Sequence, residues 1–393
     1  MKQTWFFAAM SLLSTMSGFA DQSSTTELLP LGKGSAPVCS TNMRVAPEFA
    51  SIGDDAMHDI LLGKRSSSEK PGFITEILEH RESAWIVDVD IPDTTAMYGP
   101  ASGMQMPVPV YITYPCAQNA PGEKYPFPYH DARYGMFENM LAAGADPVFA
   151  DVNARYPLIV LSHGSSSHGI YDVAHAQDLS RHGYIVAVPI YGDDRAADPA
   201  TENSHLGFMR PLFTKAVIDS LVASQQFGKH IDADKVGVSG HSYGGFTALA
   251  LAGGAVMGNT ESVSDDRVKA SVLAAPWVGH HENGRDVFPF GPENRELKRV
   301  NTPVLWFFGT KDSVNQPRYI VDAARKTSGP TYVIELVDQP HVFEGPSWAD
   351  RNAWELLFFN AYLKDDASAI NSLKRGSSVK GGNADVQHFD YQK

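Results

Sequence analysis

The sequence predicts an α/β protein with a mostly parallel, doubly wound sheet flanked by helices. Three observations predict it. From residue 156 onward, short apolar runs alternate with helical stretches. The runs carry apolar residues at consecutive positions, the pattern of strands covered on both faces. The side chains with chemistry to offer follow the runs closely, where ligands meet the carboxyl ends of strands in such sheets.

Taken in order, residues 1–20 hold one basic residue, Lys2, an apolar middle, and the small residues Gly18 and Ala20 ahead of Asp21. That is the pattern of a cleaved secretory leader, with an uncleaved anchor as the alternative. The apolar run is short for a bilayer span of about 20 residues, and no cysteine follows the site to accept a lipid. A secreted or periplasmic protein without stable membrane insertion is expected. Residues 21–80 are rich in Ser, Gly and Pro and are expected to wrap over the surface. Strands are expected at 84–90 and 106–114. Pro107 and Pro109 in the second suit an edge position, because proline cannot donate to a ladder. Residues 117–155 form an insertion with an expected helix over 135–143; a segment of that length would cover or rim a site as a lid, the alternative being mere decoration.

The alternating body begins with strand 156–161, helix 172–182, strand 184–189 and helix 210–226. Strand 236–238 then leads to a small-residue helix from Phe246. Strands 268–274, 303–308 and 331–337 follow, with helices at 316–326 and 347–363. The catalytic domain is therefore expected over 81–363. Residues 364–393 are polar, with Gly-Ser and Lys-Gly-Gly stretches, and are expected to fray.

With 393 residues, 43% hydrophobic and 20% charged, the chain can bury a substantial core. Its formal charge is −13, or −14 once residues 1–20 with their single lysine are set aside. That acidity argues against nucleic acid or an anionic membrane surface as partner. Cys39 and Cys116 are the only cysteines. In an exported protein they would form one disulfide tying the N-terminal segment to the second strand region; the alternative is two buried thiols.

The most informative stretch is Gly240-His241-Ser242-Tyr243-Gly244. It follows the apolar Val236 and Val238 and precedes a helix, the strand–turn–helix context of a nucleophile elbow. Glycines can flank so sharp a turn because they carry no Cβ to strike the neighbouring strand and helix. A serine displayed there needs a base, an acid to orient the base, and donors for an oxyanion. Asp312, in Gly309-Thr310-Lys311-Asp312 after strand 303–308, is the acid candidate, with Asp338 in reserve. Its bland alternative is a surface salt bridge. His341, in the proline-bounded loop after strand 331–337, is the base candidate. It would take the Ser242 proton and return it to a leaving alkoxide.

The loop Ser162-His163-Gly164-Ser165 can aim a backbone N–H at an oxyanion. Ser165 is its best donor, with the N–H of Tyr243 completing the hole; the alternative is a tight polar turn. His241 is read as a packed structural residue, because adjacent residues of such a turn point different ways. His163 and His168 have no Cys, Asp or Glu partner at ligand spacing, so no metal site is expected. Trp277, in Ala275-Pro276-Trp277 after strand 268–274, would line an acyl or alcohol pocket or serve as a core or rim aromatic. His280 and His281 are read as loop residues.

Together, Pro157 to Gly164, Gly183 to Pro189, Gly240 to Gly245, Gly309 to Asp312 and Pro340-His341 resemble α/β-hydrolases of the dienelactone-hydrolase-like group, over roughly residues 82–363. Within it, platelet-activating-factor acetylhydrolase-like and bacterial cutinase-like esterases are the most similar. The resemblance implies the α/β-hydrolase fold and its chain order of nucleophile, acid and base. It implies Ser242 as nucleophile, Asp312 as acid, His341 as base, and Ser165 and Tyr243 as oxyanion donors. It likens Trp277 to the tryptophan lining the aromatic-acyl cleft of cutinases and polyester hydrolases. Dienelactone hydrolases use cysteine at the position of Ser242. Cutinase-like enzymes carry methionine at that of Tyr243 and lack an insertion like 117–155. Neither of those substrates is therefore favoured.

The expected function is a serine carboxylic-ester hydrolase working through an acyl-enzyme, a route that needs no metal or organic cofactor. The substrate would be a small, lipid-like or polymeric ester. A serine peptidase or amidase of the same fold is the nearest alternative, and a non-catalytic binding module of that fold a more distant one.

Overall fold

The computed structural model describes residues 34–41, 43, 84–126, 136–142, 144–165, 167–191, 203–257, 263–282, 285–345, 347–375 and 386–391. The expected leader, 1–20, lies outside them. The N-terminal strands are β1 (Val38–Ser40), β2 (Trp85–Asp90), β3 (Gln105–Pro115), β4 (Glu123–Pro126) and β5 (Met136–Met140). The alternating body supplies β6 (Tyr156–Ser162), β7 (Ile185–Pro189), β8 (Ile231–His241), β9 (Val268–Ala274), β12 (Val304–Gly309) and β13 (Thr331–Leu336). A separate hairpin pairs β10 (His280–Glu282) with β11 (Arg285–Val287), and β14 (Val386–Tyr391) comes last.

The main sheet has twelve strands in the order β14-β13-β12-β9-β8-β6-β7-β3-β1-β5-β4, with β2 also paired to β3. From β7 through β13 every pairing is parallel, while β3 on β7 and β14 on β13 are antiparallel. Six helices matter for the argument: α1 (Val173–Arg181), α2 (Asn203–Ala223), α3 (Tyr243–Leu251), α4 (Pro317–Ala324), α5 (Ser347–Leu363) and α6 (Ala367–Arg375). Strand side chains alternate between two cores: Val304, Trp306 and Phe308 pack with Met209, Phe246 and Ile320 of α2, α3 and α4. Leu305 and Phe307 pack with Val173, Phe358 and Leu373 of α1, α5 and α6. The parallel strands are thus buried on both faces, as their unbroken apolar runs require.

Four expectations are corrected. Residues 38–40 are not a surface wrap but a fully buried strand between β3 and β5. Its Cys39 forms a disulfide with Cys116. Met136–Met140 is a strand rather than part of a helix, with Phe137 buried edge-on against Tyr111 at 4.8 Å. Strands β4 and β5 of the 117–155 insertion therefore extend the far edge of the sheet, with β5 five positions from β8.

Strand β3 is interior despite its prolines. Strand β2 pairs with residues 105–110 on one side, and β7 pairs with 110–113 on the other. Pro107 and Pro109 so lie in the overhang beyond β7, where one missing donor is tolerated. Within the stretch 364–393, the described residues 364–375 and 386–391 do not fray. Ala369 and Leu373 of α6 are buried, and β14 adds to the edge of β13. An exposed row of backbone N–H and C=O groups recruits a partner strand with little regard to side-chain polarity.

Candidate active site

Strands β6, β8, β9, β12 and β13 all deliver their next residues to one end of the sheet. Strand β8 ends at His241 and α3 starts at Tyr243, so Ser242 carries the whole turn with φ 55° and ψ −115°. A non-glycine residue in such a conformation costs on the order of 1–3 kcal/mol and persists only when its surroundings over-determine it. Here they do: Ser242 N donates to Ala274 O at 2.8 Å, and Ser242 O accepts from Gly245, Phe246 and Trp277 at 3.0, 3.2 and 2.9 Å. Gly244 is obligatory beneath the turn, because a Cβ there would lie 1.8 Å from Ser162 O.

Three side chains expected to act together do meet. His341 Nε2 lies 3.0 Å from Ser242 Oγ, and His341 Nδ1 lies 2.8 Å from Asp312 Oδ2. Asp312 is buried, and its other oxygen accepts from the backbone N–H of Val314 and Asn315 at 2.9 and 2.8 Å. The Asn315 side chain in turn donates to Ala275 O at 2.8 Å, tying the acid's loop to the strand beside the serine. The loop bearing His341 is anchored to the same place, with Thr310 N on Leu336 O and Lys311 N on Gln339 O, each 3.0 Å. Asp312, an acceptor only, selects the tautomer with hydrogen on Nδ1, which leaves Nε2 to accept from the serine hydroxyl. This chain of bonds can draw a proton off Ser242. Asp338, the reserve acid, instead pairs with Lys311 at 3.0 Å on the surface.

Around this centre, the loop after β6 approaches closely: a Cβ on Gly164 would lie 3.6 Å from Ser242 Cβ. Ser165 follows it and is exposed. Tyr243 is the first residue of α3, so its N–H belongs to the positively polarised helix end. Trp277 is half-buried and stacks on the Tyr243 ring at 5.3 Å, with its backbone bonded to Ser242. His163 is buried and bonded to Gly164 O and Tyr191 N, while the His168 ring packs on Tyr171, so the two are not brought together as ligands. Among the described residues, no group of three or more His, Cys, Asp or Glu could hold a metal ion. His280 and His281 sit in the β10–β11 hairpin, where His281 pairs with Asp286 at 2.5 Å.

Sequence reasoning missed the polar supports of the site. His241 Nε2 lies 2.9 Å from the His341 carbonyl oxygen. Burial, reinforced by the adjacent His341, pulls its pKa down to about 4, so at neutral pH it is the uncharged imidazole that donates this bond. Behind the elbow, Arg351 donates to Ser239 Oγ at 3.0 Å and pairs with Glu355 at 3.0 Å, and His175 lies 3.1 Å from the same carboxylate. Burial alone would raise Glu355, but Arg351 and His175 outweigh it and hold the carboxyl below its ordinary value. The available signal was the i, i+4 spacing of Arg351 and Glu355 on a predicted helix. Arg210 gave none beyond being a lone cation in an apolar stretch.

A family model described as the alpha/beta hydrolase family matches residues 159–386, more than half of the chain. No curated protein matches it.

Proposed function

The chain belongs to the alpha/beta hydrolase family, and from that membership we propose that it is a serine carboxylic-ester hydrolase. The observation that carries the reading is the hydrogen-bonded chain from Ser242 Oγ through His341 to Asp312, at 3.0 and 2.8 Å. His341 Nε2 takes the serine proton as Oγ attacks the ester carbonyl, and Asp312 stabilises the imidazolium that forms. The carbonyl oxygen becomes an oxyanion that accepts hydrogen bonds from the N–H groups of Ser165 and Tyr243. As the tetrahedral intermediate collapses, His341 passes its proton to the leaving alkoxide. Water then repeats the sequence on the acyl-enzyme and regenerates Ser242.

The stacked pair of Tyr243 and Trp277 beside the nucleophile supports an apolar acyl or alcohol group, so small, lipid-like and aromatic esters are the proposed substrates. The nearest kin are proposed among the dienelactone-hydrolase-like, acetylhydrolase-like and cutinase-like esterases. Export is part of the proposal, supported by the leader-like residues 1–20 and the Cys39–Cys116 disulfide. No helix among the described residues is long and apolar enough to cross a membrane.

Initial rates on p-nitrophenyl esters from acetate to palmitate, alongside an aromatic diester, test the reading. We expect turnover of at least one, stoichiometric labelling of Ser242 by a fluorophosphonate, and loss of both in Ser242→Ala with the fold intact. The mutant's activity should fall by about 10⁴-fold or more. Labelling without ester turnover would point to a peptidase or amidase, and no labelling to a binding module.

A further inference from the structure

We propose that Arg210 is a positioning residue that sets both halves of the oxyanion hole, an inference that rests on the serine-hydrolase reading above. Arg210 lies on α2, and its side chain is fully buried. Its guanidinium donates to two successive carbonyls of the loop after β6: Nη1 to His163 O at 2.5 Å and Nη2 to Gly164 O at 3.0 Å. The second contact matters most. The Gly164 carbonyl and the Ser165 N–H belong to one peptide group, which is planar and trans, so they point in opposite directions. Holding the carbonyl from one side fixes where the Ser165 N–H points on the other.

A charged donor on a carbonyl also polarises its peptide group and strengthens the attached N–H as a donor. His163 adds to this. Its Nε2 accepts from Tyr191 N at 3.3 Å, which leaves Nδ1–H to donate to Gly164 O at 2.8 Å. The same guanidinium meets the other half of the hole. Its central carbon sits 4.6 Å from the Tyr191 ring centroid and 5.1 Å from that of Tyr243. Tyr191 is held in turn by its hydroxyl on Ser162 Oγ at 3.0 Å, and Tyr243 by its stack on Trp277 at 5.3 Å. One rigid planar cation therefore touches the peptide that presents the Ser165 N–H and the residue that presents the Tyr243 N–H. Lysine, a point charge on a flexible stem, cannot bridge two carbonyls and lie between two rings at once.

Arg210→Lys and Arg210→Gln test this in the full chain, with concentrations normalised by fluorophosphonate titration taken to completion so that only competent enzyme is counted. On p-nitrophenyl acetate, kcat should fall by about 30- to 100-fold while KM stays within about threefold, because only the transition state carries the oxyanion. Affinity for butylboronic acid, whose tetrahedral adduct places an anionic oxygen in the hole, should fall by the same factor as kcat/KM. Lysine should rescue little of either loss. The proposal is overturned if both variants keep kcat and boronate affinity within about twofold, or if boronate affinity holds while kcat falls. Failure of both variants to fold would assign Arg210 to stability and overturn it too. If the unmodified chain neither hydrolyses the ester nor takes the label, it is the serine-hydrolase reading that fails instead.

Discussion

At the scale of single residues, His241 shows how one imidazole is kept out of the chemistry next to it. Its ring lies 4.8 Å from that of His341 and is walled by Phe343 and Trp348, and its Nε2–H is spent on the His341 carbonyl. With a folded pKa of about 4, against roughly 6.5 in an unfolded chain, the unfolded state binds more protons between those limits. Stability from this residue is therefore fully present above pH 6.5 and drains away as pH falls toward 4, by at most about 3 kcal/mol. Melting curves between pH 7 and 4 should show His241→Gln losing less stability on acidification than the parent chain. Parallel declines would remove His241 as the cause. Its structural role was legible from the geometry of the turn, and Ser242, Asp312 and His341 were legible because each stands just beyond a strand, in order. The hydrogen bond to the His341 carbonyl was not, since nothing in the sequence says which backbone atom a side chain 100 residues away will meet.

At the scale of elements, the C-terminal strand β14 covers the edge of β13, the strand that leads into the His341 loop. Six residue pairs run antiparallel from Thr331 with Tyr391 to Leu336 with Val386. Deleting residues 376–393 would turn β13 into an exposed edge and remove several ladder bonds, each worth about 1 kcal/mol net. We expect a lower melting temperature, a loss of at least about 2 kcal/mol in urea, and association detectable by light scattering. A truncated chain as stable and monodisperse as the parent would show that β14 does not protect the edge. The central strands were readable because burial on both faces leaves a mark in composition. Strand β14 was not, because its register is made by backbone groups, and its polar residues read as tail. Met136–Met140 failed for a related reason: five residues with Phe137 between two methionines fit a helical turn as well as a strand, and only the partners β4 and β1 decide it.

At the scale of the whole molecule, the sheet separates the parts that carry the proposed chemistry from the part that is covalently tied. Strand β1 is four positions from β8 in the sheet, beyond β3, β7 and β6. It makes only three residue pairs with β3 and one with β5, a short seam for hydrogen bonds alone to hold. The Cys39–Cys116 disulfide supplies the rest by closing a loop across a sequence separation of 77, which removes about 4.5 kcal/mol worth of unfolded-state freedom in the chain-entropy account. Both sulfurs are buried, so the bond is shielded from reductants while the fold is intact. The double variant Cys39→Ser/Cys116→Ser should therefore lose about 4 kcal/mol in urea unfolding, yet hydrolyse a small ester with kcat within about twofold of the parent, because β1 lies four positions along the sheet from β8, the strand that leads into Ser242. The two readings separate scaffold from site. A stability loss with kcat preserved places the N-terminal strand in the scaffold alone. A fall in kcat while the chain remains folded would mean that the far edge of the sheet reaches the site after all.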